Sequence, residues 1–251
     1  RYRTLFPRGS LNYERAADDL SADPVKVNSI RTAEIAVNTR FAYREKFVNG
    51  TSRRVSLGTK YPAFELHSAF GVPSLLNSDY EYEKLVLHVS QRVPTGVLGN
   101  LRYAAEAGRI WGTLPYPLLI VHPGNETFYY DDGAYNTMNF FEFISDRYSS
   151  LWLEQHFDGF FFNRIPLLRK LKWREVAGVK ALVGDLAPKH ANELILLPIM
   201  RTLSEGAFME ANAGVENILK VLRVDGVWRL TYRDSPRATN FALRLKLTIN
   251  F

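Results

Sequence analysis

Along most of this chain apolar and polar side chains alternate one for one rather than recurring every three or four residues. Over 241–251, Phe241, Leu243, Leu245, Leu247, Ile249 and Phe251 hold the odd positions, with Ala242, Arg244, Lys246, Thr248 and Asn250 between them. Successive side chains of a strand point to opposite faces, so this period of two predicts a strand with one greasy and one polar face. The same pattern begins near residue 34. Ile35, Val37, Thr39, Phe41 and Tyr43 face one way, while Glu34, Asn38, Arg40 and Arg44 interleave. Asn49-Gly50 then predicts a tight hairpin turn, with a return strand through Val55, Leu57, Thr59 and Tyr61.

Further strands are expected over 63–70, 80–93, 101–111, 140–157, 173–184, 206–215 and 224–232. Turn compositions such as Gly71-Val72-Pro73, Asn77-Ser78-Asp79 and Pro94-Thr95-Gly96 separate several of them. Helix signals are weak, the best being 188–197 and a short piece around 216–222. Residues 1–31 show no sustained period and read as a loop or as unresolved strands. The stretch 115–126 is dense in proline, which lacks the donor that a central strand needs. Because Leu118, Leu119 and Ile120 are ill suited to free solvent, it is expected to be an ordered loop folded into a lumen or over its mouth.

Composition sharpens the class. Sixteen Phe, thirteen Tyr and four Trp give an aromatic share suited to girdles at two membrane interfaces. No run of about 18 apolar residues occurs, which excludes transmembrane helices and leaves a barrel open, since its strands alternate. The absence of cysteine removes disulfides, thiolate metal sites and cysteine catalysis. A net charge of +6 is spread in strand-like alternation rather than gathered into a basic stripe, so nucleic-acid binding is not expected. Charge recurs on one face of several strands, as Asp225 and Arg229 do opposite Val224, Trp228 and Leu230. A water-filled or hydrogen-bonded lumen tolerates this; a sandwich core does not. The expectation is an all-β, antiparallel transmembrane β-barrel, a single domain over 1–251 with about ten to fourteen strands at about ten residues per crossing. Arg1 is no initiator and no signal segment follows it, so the chain is expected to be the carboxy-terminal part of a longer protein.

Blocks at 99–126, 136–148, 162–175, 210–225 and 228–232, among them Pro115-Tyr-Pro-Leu-Leu-Ile-Val-His-Pro-Gly124 and Asn163-Arg-Ile-Pro-Leu-Leu-Arg-Lys-Leu-Lys-Trp-Arg-Glu175, carry a resemblance. Together they look like the carboxy-terminal barrel of a Bacteroidota outer-membrane family of unknown function. Full-length members of that family carry an amino-terminal carboxypeptidase-regulatory-like domain. The resemblance runs from about residue 34 to the end, and implies a transmembrane barrel distantly related to BamA-type barrels. Phe251 after alternating apolar residues likewise resembles the closing strand that the barrel-insertion machinery recognises. The Val-Arg-Gly-Phe loop motif of the BamA-type group is absent from the chain, so a role in inserting or exporting proteins is not carried over.

The expected function is that of an outer-membrane protein of the bacterial envelope, structural or engaged in transport or assembly, with no enzymatic activity and no cofactor. Its expected partners are outer-membrane lipid and lipopolysaccharide, the insertion machinery and other envelope proteins. Phe241, Leu243, Leu245, Leu247, Ile249 and Phe251 are expected to face lipid, and Arg244, Lys246, Asp225 and Arg229 the lumen, where Arg244 and Lys246 should tolerate polar replacement. Arg164, Arg169, Lys170, Lys172 and Arg174 are candidates for an anion or lipopolysaccharide contact, or for a turn whose cations sit in the headgroup zone. A soluble lipocalin-like or sandwich binding protein also fits the alternation. A membrane-embedded hydrolase would draw on Ser145, Asp146 and His156. His67, His88, His122, His156 and His190 lie in separate segments without ligand spacing, and no metal site is expected.

Overall fold

The structure, a computed structural model, describes residues 1–9, 11–15, 23–50, 54–73 and 75–247. Ten strands form one antiparallel sheet: β1 (Tyr2–Leu5), β2 (Ile30–Ala42), β3 (Ala63–Gly71), β4 (Tyr82–Pro94), β5 (Asn100–Gly112), β6 (Arg147–His156), β7 (Arg174–Asp185), β8 (Phe208–Ile218), β9 (Leu222–Arg229) and β10 (Phe241–Leu247). Each pairs with the strands before and after it, so the order in space is the order in the chain. Among the described residues β1 and β10 do not pair, and the sheet is an open meander rather than a closed barrel.

Register carries the alternation from strand to strand. Phe41 pairs with Phe64, Phe64 with Val89, Val89 with Ala105, Ala105 with Leu151, Leu151 with Ala181 and Ala181 with Met209. One face of the sheet is therefore mainly apolar, with Glu83, Arg109, Arg147 and Asp185 on it only near the strand ends, and a slip of one residue at any pair would invert it. We call it the outer face. The inner face carries Glu34, His88, Glu106, Glu154, Lys180, Glu210, Asp225 and Arg244 at the intervening positions.

Connections at the two ends differ. Residues 72–81, 113–146, 186–207 and 230–240 leave one end, here the loop end; 43–62, 95–99, 157–173 and 219–221 leave the other, the turn end. A hydrophobic core lies against the inner face near the loop end, where Leu182 and Phe208 of the sheet meet Leu114, Met138, Phe143, Ile144, Leu194 and Leu203 of the long connections.

Several local expectations are corrected. In 1–31 the strand alternative holds, with β1 and a ribbon of Glu14–Arg15 with Val25–Lys26. The hairpin at Asn49 is a separate ribbon, Lys46–Asn49 with Arg54–Gly58, in which Asn49 pairs with Arg54, so the connection is longer than a two-residue turn. Residues 140–157 split into Ile144–Ser145 and β6. The expected helix at 188–197 is a 3-10 turn over Pro188–Asn192, and 216–222 is the end of β8, a tight turn and the start of β9. The one α-helix among the described residues, α1 (Pro166–Leu171), lies in the basic segment. Proline at its first turn needs no donor, and left-handed Lys172 ends it.

Glycines on the inner face let aromatic rings lie flat on the sheet. Gly108 is the cross-strand partner of Tyr148 and Gly71 of Tyr82, and a Cβ at either glycine would overlap the ring. Gly108→Val should therefore destabilise the fold by ~1–3 kcal/mol, the usual cost of overpacking. A shift of the urea midpoint at unchanged slope would register it, whereas an unchanged midpoint would show that Tyr148 moves aside freely.

Candidate functional site

The inner face of β6–β10 is occupied by the chain itself. Residues 113–146 leave β5 at the loop end and fold back across that face as a plug. Its neck is made locally. Pro115 and Pro117 frame a 3-10 turn over Tyr116–Leu118, and Ile120–Val121 pairs with Ile144–Ser145. Leu114, Tyr116, Leu118, Leu119 and Ile120 are buried, in line with the loop expected from the proline-rich motif. Beyond the neck Asn125 fixes the turn: its Nδ2 donates to Asn136 Oδ1 (2.7 Å) and to Tyr129 O (2.6 Å), and its Oδ1 accepts from Thr127 N (2.9 Å).

Five charged side chains of the sheet grip this plug. Glu210 of β8 accepts from the backbone N–H groups of Asn136 and Thr137, both at 2.9 Å, and from the Thr137 hydroxyl at 2.8 Å. Lys180 of β7 donates to Ala134 O at 2.5 Å and Asp131 O at 3.2 Å. Arg229 of β9 donates to Thr137 O at 3.1 Å and, through both terminal nitrogens, to Glu142 at 3.1 and 2.5 Å. Arg244 of β10 donates to Asn136 O (3.1 and 2.6 Å), to Asn125 O (2.9 Å) and to Thr127 O. Lys246 reaches Asp132 at 2.5 Å. Irregular backbone removed from water must find partners, and the sheet supplies them as full charges, which make the stronger bonds.

Toward the turn end a second network is internal to the strands. Arg223 donates to both oxygens of Asp225 (2.6 and 2.9 Å) and to Glu154 (2.7 Å), and its guanidinium lies 4.6 Å from the centre of the plug's Tyr130 ring. Glu154 also bonds His156 at 2.7 Å, and the other ring nitrogen of His156 faces Glu216 at 3.0 Å.

Of the residues expected to face a lumen, Asp225, Arg229 and Arg244 are buried on the inner face and Lys246 half-buried there. Their environment corrects the expected tolerance of Arg244, which is committed to three plug carbonyls rather than solvated. Phe241, Leu243, Leu245 and Leu247 are all exposed on the outer face; Ile249 and Phe251 lie outside the described residues. Arg164, Arg169, Lys170, Lys172 and Arg174 are exposed at the turn end, where Arg164 stacks on Phe160 at 4.2 Å and Arg174 pairs with Asp158 at 3.3 Å. Ser145 and Asp146 are not joined to His156, which sits at the far end of β6. Ser145 bonds His122 at 3.0 Å and Asp146 faces His190 at 3.3 Å, all four side chains being buried. The pattern reading missed Lys180, Glu210 and Arg223. Their signal was an ionisable residue in phase with the inner face, as in Ala177-Gly178-Val179-Lys180-Ala181-Leu182.

A profile of a family of unknown function (DUF5686), C-terminal domain, matches residues 6–192. The chain belongs to this family. The matched stretch begins just after β1, takes in β2–β7 and the whole plug, and ends in the connection before β8. No curated protein matches the chain.

Replacing Arg244 by Gln leaves plug carbonyls without their charged donor, and should cost about 2–4 kcal/mol. Lys246→Gln should stay within about 0.5 kcal/mol because its partner is exposed. Limited proteolysis within 125–137 should accelerate in the first variant alone; equal rates would mean that the plug is held without Arg244.

Burial pushes the His122 imidazole down from 6.5 to about 4, with its ring packed edge-on to Tyr148 at 4.9 Å. The unfolded chain then takes up a proton that the folded chain refuses, so stability falls as pH drops from about 6.5 to about 4. The melting temperature of His122→Gln should fall less than that of the parent between about pH 7 and about pH 4.5. Parallel declines would assign the acid sensitivity to other groups.

Proposed function

We infer that this chain forms the carboxy-terminal wall of a plugged outer-membrane β-barrel, completed by strands outside the described sheet, with its outer face in lipid. The observation that carries the reading is the inverted polarity of the sheet. Leu243 and Leu247 are 64% and 65% exposed while Arg223, Asp225 and Arg229 on the opposite face are at most 2% exposed. The exposed apolar residues are also contiguous, running from Ile35, Val37 and Phe41 of β2 to β10. A belt across nine strands exceeds the apolar patches that soluble monomers tolerate.

Dimensions agree. The outer positions of β4 from Leu85 to Val93 span ~27 Å along the strand, or ~20 Å along the normal at a barrel-like tilt, close to the ~25 Å apolar band of such barrels. Aromatics mark both borders, with Phe70, Trp111, Trp228 and Phe241 toward the loop end and Phe41 and Phe64 toward the turn end. Closure by further strands removes the bare edges that hydrocarbon forbids. We take the turn end, which holds the two shortest connections, 95–99 and 219–221, as periplasmic, which directs Arg164, Arg169, Lys170 and Lys172 to phospholipid phosphates there rather than to lipopolysaccharide. The role is structural or in transport or assembly within a Bacteroidota-type envelope and has no catalytic step. The likeness to BamA-type barrels rests on the sequence blocks and on a long connection folded inside the sheet.

Single-tryptophan variants of the purified protein, reconstituted with brominated phospholipid, test this. Trp111 and Trp228 point outward, whereas Trp152 points inward and donates to Tyr135 Oη at 2.9 Å. Strong quenching of the first two with Trp152 spared is expected. Equal quenching of all three, or a monodisperse protein in buffer without detergent, would overturn the membrane assignment.

A further inference from the structure

At the turn end the inner face opens into a cavity of about 230 Å³, walled by β4 and β5 on one side and by the β8–β9 turn and β10 on the other. Its charge is lopsided. Arg92 and Arg102 are direct cross-strand partners, both turned inward, and Lys220 from the opposite wall lines the same space. Like charges facing each other across an antiparallel pair repel; Arg92, Arg102 and Lys220 are all exposed, so water screens part of that repulsion, and an anion held between the arginines removes the rest.

The nearby carboxylates are already engaged. Asp158 pairs with Arg174 at 3.3 Å and accepts from Asn100 at 3.0 Å; Glu216 faces His156 at 3.0 Å. Glu154 stands opposite Arg102 in the register, yet its oxygens go to Arg223 and His156, each at 2.7 Å. Lys246, also at the cavity, is taken by Asp132. Arg92 has a neutral partner, Asn100 Oδ1 at 3.2 Å. Among the described residues no carboxylate lies within ion-pair distance of Arg92, Arg102 or Lys220, while every acid that lines the cavity has a cation of its own.

We propose that this cavity is an anion site, in which Arg92 and Arg102 hold a small phosphate-class oxyanion with Lys220 as the third cation. Guanidinium forks match the tetrahedral oxygens of phosphate in bidentate fashion, and an ammonium adds a point charge. The ligand relieves the Arg92–Arg102 repulsion, which a neutral or cationic solute cannot do. Water-soluble phosphates reach the cavity through the open turn end; a phosphate on a lipid has to enter by the same route, since the cavity is on the inner face. The site is defined by inner-face geometry alone and stands or falls independently of the bilayer reading.

Calorimetric titration of the protein in a zwitterionic detergent tests it, with inorganic pyrophosphate as the soluble probe, a short-chain phosphatidic acid as the lipid probe and sodium chloride at matched ionic strength as the control. Saturable binding of either phosphate is expected, and the tighter of the two identifies the source. Arg92→Gln and Arg102→Gln should each weaken it by at least about tenfold, the scale of one lost charge-assisted contact, and Lys220→Gln severalfold. Without ligand, Arg102→Gln should melt at the same temperature as the parent or higher, because a repulsion is removed; a purely structural arginine would lower it. Binding indistinguishable from chloride, or unchanged in both arginine variants, would overturn the proposal.

Discussion

The constraint on which the rest of the structure depends is that a sheet with charged residues on its covered face must satisfy every one of them without water. Isolated buried charges are prohibitively costly, and even paired ones need good geometry and further hydrogen bonds. Here the need is met twice. Toward the turn end, Arg223, Asp225, Glu154 and His156 satisfy one another within the strands. Toward the loop end, Lys180, Glu210, Arg229 and Arg244 are satisfied by backbone groups and by Glu142 of the plug. The plug is irregular because its task is to present carbonyls and N–H groups where the charges are, and the charges are tolerated because the plug is irregular. Each half of that arrangement is unstable alone.

The outer face follows from the same constraint. Once the ionisable residues are committed inward, the alternate positions along each strand are free to be apolar, and register then aligns them into one surface. Family membership by itself assigns no activity, so the physical case for a membrane role rests on this division of labour between the faces.

How far the sequence discloses this depends on the element. β10 was legible to the residue from 241 to 247, because Leu243, Leu245 and Leu247 alternate strictly with Ala242, Arg244 and Lys246. So was the loop character of 115–126, since proline cannot serve a central strand. Four-residue β1 and the ribbons at Glu14–Arg15 and Val25–Lys26 are too short to establish a period. α1 is likewise a single short helix whose signal is the proline at its start rather than any periodicity. The grip on the plug was half visible. Arg229 and Arg244 stand out as charges in phase with a polar face, but their partners are carbonyl oxygens of Thr137, Asn136 and Asn125, which sequence does not distinguish from any others. Lys180 and Glu210 sit among small residues, Ala177, Gly178, Ala181, Ala211 and Ala213, that blur the alternation.

The plug is bonded to only part of the sheet. Its side-chain hydrogen bonds to strands go to β6–β10, and among the described residues none joins it to β2, β3 or β4. In mechanical terms the two parts of the sheet are tied to the plug differently, β6–β10 by directional hydrogen bonds and β2 and β4 by apolar packing of Ile30 and Tyr82 in the shared core. A load on the plug is transmitted to the last five strands as a unit, through bonds that anchor at Asn136, Thr137 and Glu142, while β2–β4 can change curvature without stretching any of those bonds. Deformation, when the molecule is strained, belongs to the early strands.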